Sequence, residues 1–418
     1  MRASVSKSCW SRVSSARANH TAPAAVSTNQ ASHQPPRVRN HCVMARIVPG
    51  ADGPPRLAEN ADPDMADVQD SLFSDLPELP RPAEAADAPP PSPKKSRGAT
   101  VKPVAPDAAL VALAAELPPL LRLGTSSWSY PGWAGLVWDG DYAETVLSKN
   151  GLSALAQHPL LRTVSLDRNF YRALTASQHA RYAAMVPDDF RFVVKAPSLV
   201  TDATVRDESG RGTQANPVFL SHEIALQEFV QPALDGLGHR IGALVFQLSP
   251  IPAHLLADQP ALIARIGAML AAMPDLKPTA PDAVLAVEVR DPQLLCPAFA
   301  DILRSVGATF CMGLHAKMPS IEDQLPMLRA LWPGPLVCRC NLHRRHGRFG
   351  YEDAEKLYGP FDKVLDPDPE TRAALAKVIA GTTGAGQNAF VTVSNNAEGC
   401  APLTIAQLAR DILAIAPR

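Results

Sequence analysis

The chain has 418 residues, 46% of them hydrophobic, and a formal net charge of −1. That length accommodates one large α/β domain or several average ones. The near-zero charge removes any whole-molecule electrostatic reason to bind nucleic acid or a membrane. No run is long and apolar enough to span a bilayer: the closest approach, Ala108 to Leu121, is broken by Glu116, Pro118 and Pro119. The seven cysteines show no framework spacing, so reduced thiols in a cytoplasmic protein are the simpler expectation.

Residues 1 to about 105 are rich in Ala, Pro and Ser and lack a sustained hydrophobic period, which predicts a disordered extension. Its start carries Arg2, Lys7, Arg12, Arg17, Arg37 and Arg39 without an acid, resembling an organelle transit peptide. The alternative is an over-extended start with Met44 or Met65 as initiator. It is the simpler one, because nothing else points to an organelle. An acidic stretch from Asp52 to Asp87 gives way to Pro89-Pro-Pro-Ser-Pro-Lys-Lys95, read as a solvated linker.

From about residue 120 to 418 short β-rich runs alternate with helical patterns. Eight runs stand out: Leu121–Ser126, Thr163–Asp167, Phe190–Lys195, Ile241–Leu248, Val284–Val289, Ala308–Met312, Leu336–Asn341 and Ala389–Ser394. Helices are expected over Ser177–Met185, Leu220–Leu234, Ala257–Met273, Ile321–Leu331, Glu370–Ile379 and Ile405–Ile415. Eight β/α units in this length predict a closed TIM-type (β/α)8 barrel, although an open doubly wound sheet produces the same alternation.

Several runs end on a polar residue: Ser126, Asp167, Lys195, Gln247, Glu288 with Arg290, Asn341 with His343, and Asn395 with Asn396. In a barrel these strand ends converge on one mouth, where active sites of the fold sit. Strand alternation puts Glu288 and Arg290 on one face, and Arg339, Asn341 and His343 on a face opposite Cys338 and Cys340. The ligand-like spacing Cys338-x-Cys340-x-x-His343-x-x-His346 is therefore split between two sides of the strand and is not expected to bind zinc.

His343-Arg344-Arg345-His346-Gly347-Arg348 follows the seventh run, a position where barrels hold phosphate; it is equally readable as a solvated basic loop. Three of the five tryptophans, Trp128, Trp133 and Trp138, fall in or near the loop after the first run, with Tyr130 between them. Their rings either stack on a ligand or cap the barrel end. The stretch Gly381–Gly386 lacks a following Lys-Ser/Thr pair and reads as a loop, and no motif names a cofactor.

Gly124-Thr-Ser-Ser-Trp-Ser-Tyr-Pro-Gly-Trp133 resembles the opening signature of the YecE-like family, domain of unknown function 72. The resemblance continues through Phe170-Tyr-Arg172, Asp189–Pro197, Leu244–Leu248, Val287-Glu-Val-Arg290 and Asn395–Gly399. It implies a TIM-type barrel and leaves the chemistry open. Ser165, Asp167 and Asp291 depart from the residues that family members commonly carry there.

The leading expectation is an enzyme acting on a small anionic, phosphorylated or sugar-like molecule. Glu288 would serve as general acid or base with Asp167 as second carboxylate. Lys195, Arg290 and Arg344 would hold the anion while His343 assists proton transfer. Tyr171, Gln247, Asn341, Asn395 and Asn396 complete the expected binding set, and Lys195 is also a candidate Schiff-base amine. A second expectation is nucleic-acid binding or hydrolysis, with the basic loop on phosphates and Trp128, Tyr130 or Trp133 on bases. A third is a non-catalytic scaffold.

Overall fold

The computed structural model describes residues 100–206, 212–347 and 350–415. The expectations for residues 1–99 and for Arg348 lie outside these. All eight predicted strands form, as β1 (Leu121–Thr125), β2 (Thr163–Leu166), β3 (Arg191–Lys195), β4 (Ile241–Gln247), β5 (Val284–Glu288), β6 (Thr309–Leu314), β7 (Leu336–Cys340) and β8 (Ala389–Val393). They pair in parallel as a closed barrel in the order β1-β8-β7-β6-β5-β4-β3-β2. Every strand is buried along nearly its whole length, because the lumen covers one face and the helices the other; hence the continuous apolar runs.

Alternation sorts the side chains. Val193, Ala243, Val245, Ala286, Cys311, Val337 and Phe390 form the lumen plug, while Cys338 and Cys340 join the larger core under the helices. Both cysteines thus point as alternation predicts. Among the described residues no group of three or more His, Cys, Asp or Glu side chains gathers as a metal would require.

The outer layer departs from expectation in three places. A short antiparallel pair, Thr204–Arg206 with Gly212–Ala215, is inserted after β3, where the polar residues show no strand alternation. Helix Pro369–Gly384 continues beyond Ile379, taking in the first part of the expected glycine loop. It packs Ile379 and Thr382 inward, and only Gly386, at φ +74°, marks the turn into β8.

The described structure also takes in residues before 105. Val101 is buried, Val104 N–H donates to Val137 at 2.9 Å, and Asp139 N–H donates to Lys102 at 3.1 Å. A helix over Ala108–Glu116, capped by the Asp107 side chain, packs onto the last helix, Ala401–Ile415. Among the described residues no helix is long and apolar enough to cross a membrane.

Candidate functional site

A guanidinium occupies the centre of the barrel's downstream end. Arg339, inside β7, is 2% exposed; its Nη1 donates to Glu288 Oε2 at 2.7 Å and to Gln247 Oε1 at 3.3 Å, and its Nη2 to Asp167 Oδ2 at 2.6 Å. It therefore ties together the ends of β2, β4 and β5 from the far side of the lumen.

Glu288 is wholly buried and fully engaged. Its Oε1 accepts from Arg290 Nη2 at 2.8 Å and from Asn341 Nδ2 at 3.2 Å, while the Cys311 thiol lies 3.9 Å from Oε2. Burial alone would push this carboxyl up, but Arg290 and Arg339 outweigh it and hold it below its ordinary value. On the neighbouring strand, β6 carries Gly313, where a Cβ would stand 3.1 Å from Glu288 Oε1. Asp167 takes a second bond from Ser165 Oγ at 2.6 Å.

Lys195 differs from its neighbours. At the end of β3 and 8% exposed, it makes no ion pair among the described residues; its Nζ sits 3.5 Å from the centroid of the Phe170 ring. Phe170 is placed there by the short helix Arg168–Tyr171. The preceding residue, Asn169, donates through Nδ2 to the Lys195 carbonyl at 2.8 Å and accepts Leu174 N–H at 2.8 Å. Burial lowers the Lys195 amine to about 7; Arg339 and Arg290 act in the same direction, and Asp167 and Glu288 against it.

Arg290 has a spare valence. Its Nη2 serves Glu288 and Gln247, yet its buried Nη1 has no partner among the described residues.

Two further residues border this cluster. His315, after β6, is lowered to about 4 by burial and by Arg290, so its ring is neutral near pH 7. Tyr351, on helix Gly350–Tyr358, packs its ring 5.5 Å from His315, and its phenol feels Arg290, Glu288, Arg339 and Asp167 while staying 41% exposed.

The structure thus gathers Asp167, Lys195, Gln247, Glu288, Arg290 and Asn341 around Arg339. Other expected site residues lie elsewhere. His343 Nε2 is 3.9 Å from Asp368 and its ring faces His346, which contacts the Tyr358 hydroxyl at 2.8 Å. Arg345 pairs with Asp366, which also accepts from Tyr358; Arg344 is exposed without an ion pair among the described residues. The basic loop is therefore largely fastened to its own surroundings.

Of the aromatics, Trp133 is fully buried, stacked on Trp138 and beside Tyr130. Trp128 packs edge-on against Tyr182 and donates to Ser148, although with Ser165 and Asp167 it lines a crevice with room for about one water molecule. Tyr171 is 55% exposed beside Phe170. Asn395 and Asn396 are buried in the turn after β8, where Asn395 Oδ1 accepts Ala401 N–H at 2.9 Å at the start of the last helix.

The sequence reading missed Arg339, Cys311, His315 and Tyr351. Only Arg339 carried a signal, its place on the lumen face of β7.

The sequence profile of the DUF72 family, proteins of unknown function, matches residues 122–416. Two crystal structures of a DUF72 family protein from Enterococcus faecalis V583 align over 71% of this chain. They are 16% identical, with TM-scores of 0.42 and 0.46 and 96% and 97% of their own chains covered. A DUF72 family protein from Thermotoga maritima MSB8 is likewise 16% identical, over 70% of this chain and 99% of its own, with a TM-score of 0.45. No curated protein matches. A profile match over most of the chain, spanning every strand of the barrel and nearly every charged group at its mouth, makes this protein a member of the DUF72 family.

Proposed function

We propose that the barrel mouth is the active site of an enzyme acting on a small anionic molecule, phosphorylated or sugar-like. One observation carries this reading: among the described residues, a buried guanidinium nitrogen, Arg290 Nη1, is left without a partner near a lysine that has no carboxylate of its own. Buried donors are nearly always satisfied, so a site that leaves one open favours an incoming acceptor. Asp167 and Glu288 balance Arg290 and Arg339, so protonation of Lys195 decides whether the mouth is net positive.

The roles shift from those the sequence suggests. With both oxygens engaged and no exposure, Glu288 is cast as the anchor that orients Arg290 and Arg339, not as the proton-transfer group. Lys195, whose amine titrates near neutrality, takes that part, while neutral His315 borders the cluster near Arg290. The nucleic-acid reading gains no support here, since Trp133 is buried and Arg345 is paired with Asp366.

Inorganic phosphate is the simplest probe. It should raise the thermal midpoint of the native protein, and Arg290→Met should weaken phosphate binding by about 10-fold or more, as expected for a lost charge-assisted contact. Binding should take up a proton on Lys195, so affinity should fall as pH rises through about 7. A protein indifferent to phosphate, or an Arg290→Met variant that binds it equally well, would sink the proposal.

A further inference from the structure

We infer that Lys195 is a nucleophile, whose amine forms an imine with the aldehyde or ketone carbon of a small oxo acid held at its anionic end by Arg290. This rests on the anionic-substrate reading above and narrows that substrate to a carbonyl compound.

A lysine buried for structural reasons takes an acid as partner, because an unpaired buried charge is costly. Two acids stand at this mouth, and both are occupied. Glu288 is held by Arg339, Arg290 and Asn341; Asp167 by Arg339 and Ser165. Lys195 instead presents its amine to the face of Phe170. The contact favours the ammonium modestly, yet a ring cannot take up the proton or accept a strong hydrogen bond.

Its position is fixed from behind. Asn169 holds the Lys195 carbonyl, and Ala196 N–H donates to Val245 at 2.8 Å, so the side chain leaves a rigid strand end. The charged groups acting on the amine are Asp167 just after β2, Glu288 at the end of β5 with Arg290 just beyond it, and Arg339 on β7. With burial added, roughly half of the Lys195 side chains are uncharged at pH 7, against about one in a few thousand for an ordinary lysine.

The chemistry balances without an oxidant or metal. The neutral Nζ attacks the carbonyl carbon, a C–N bond forms, and the C=O π pair moves to oxygen, which takes one of the protons now carried by the nitrogen. A second proton, from solvent, goes to the same oxygen, and the freed nitrogen lone pair expels it as water, leaving a protonated C=N. The resulting iminium draws electrons from the adjacent carbon, the general use of such lysines. Arg290 Nη1 supplies the donor that orients the carboxylate or phosphate of the same molecule.

Glyoxylate with cyanoborohydride tests this on the full-length native protein. Reduction of the imine leaves a carboxymethyl group, which peptide mapping locates. Lys195 should be labelled at pH 7 at least about 10-fold faster than the exposed Lys102, Lys317 and Lys356, inorganic phosphate should slow that labelling, and Lys195→Arg should abolish it. Labelling of the exposed lysines with Lys195 untouched overturns the inference. If phosphate still binds through Arg290 in that case, the anion reading survives it. Rapid labelling of Lys195 that phosphate does not slow supports the nucleophile and counts against the shared anion site.

Discussion

The two ends of this barrel both carry charge, but they use it differently. At the upstream end Arg191 spends every nitrogen: Nε and Nη2 on Asp282 at 3.0 and 2.8 Å, and Nη1 on the Asp188 and Phe190 carbonyls at 2.8 and 3.0 Å. Arg122 donates to the Asp189 and Pro119 carbonyls, and Asn388 adds to Asp282. Burial, with Arg162 and Arg191 nearby, lowers Arg122 to about 10. The downstream end has comparable charge but, among the described residues, leaves Arg290 Nη1 and Arg339 Nε unpartnered, and Lys195 against a ring. The upstream end also leaves one buried donor open, Arg240 Nε, but Arg240 keeps Asp188 as its carboxylate at 3.3 Å. A cation such as Lys195, with no carboxylate of its own among the described residues, retains capacity for an anion that arrives later.

The sharpest way to break this contrast is Arg339→Met. It would strand Glu288 and Asp167 without their shared guanidinium, and should cost about 3–5 kcal/mol in chemical denaturation. The matching change upstream, Arg191→Met, should cost only about 1–2 kcal/mol, because Asp282 is 33% exposed and water can replace its partner. Equal losses at both ends would erase the distinction.

Acid separates stability from binding next. His158, in the turn before β2, and His179, in the helix Ala176–Ala183, are buried and lowered to about 4, chiefly by burial. Both are neutral in the fold, whereas the unfolded chain protonates them below about 6.5. Their contribution is therefore intact above that pH and is lost as pH falls toward 4, by about 2 kcal/mol per imidazole between pH 7 and pH 5. His179→Phe should flatten this slope in urea titrations. Phosphate binding at the mouth should strengthen over the same descent through neutrality, so the two profiles run in opposite directions. A stability profile unchanged from pH 7 to 5 would remove the buried-imidazole account.

Much of the barrel was legible because each strand is buried on both faces and shows as a short, mostly apolar run. The observed strand limits fall within two residues of the expected ones. The polar strand ends gave Asp167, Lys195, Gln247, Glu288 and Asn341, since alternation fixes which side chains share a lumen. Arg339 was placed on the lumen face of its strand but left out of the expected site, because it lies inside its run, flanked by Cys338 and Cys340, while attention to strand ends looks one step further on. His315 and Tyr351 come from irregular segments, where no period dictates direction. The basic loop after β7 misled for a related reason. Asp366, Tyr358 and Asp368, which hold Arg345, His346 and His343, return to it from well downstream in the chain.

The finest test replaces one hydrogen at each end. At Gly242 a Cβ would lie 2.6 Å from Cε1 of Phe390, a ring locked in the lumen plug, so Gly242→Ala should cost about 1–3 kcal/mol and leave phosphate binding unaltered. At Gly313 the same atom would stand 3.1 Å from Glu288 Oε1, and a carboxylate can yield a few tenths of an ångström more readily than a ring. Gly313→Ala should therefore cost roughly 1 kcal/mol or less. The displacement falls on the oxygen that orients Arg290 through a 2.8 Å contact, so phosphate affinity should change although the fold barely does. Calorimetry on the two variants decides the matter. If Gly313→Ala lowers stability as much as Gly242→Ala and leaves binding alone, the mouth is only a second plug, and its open donors are packing defects instead of a site.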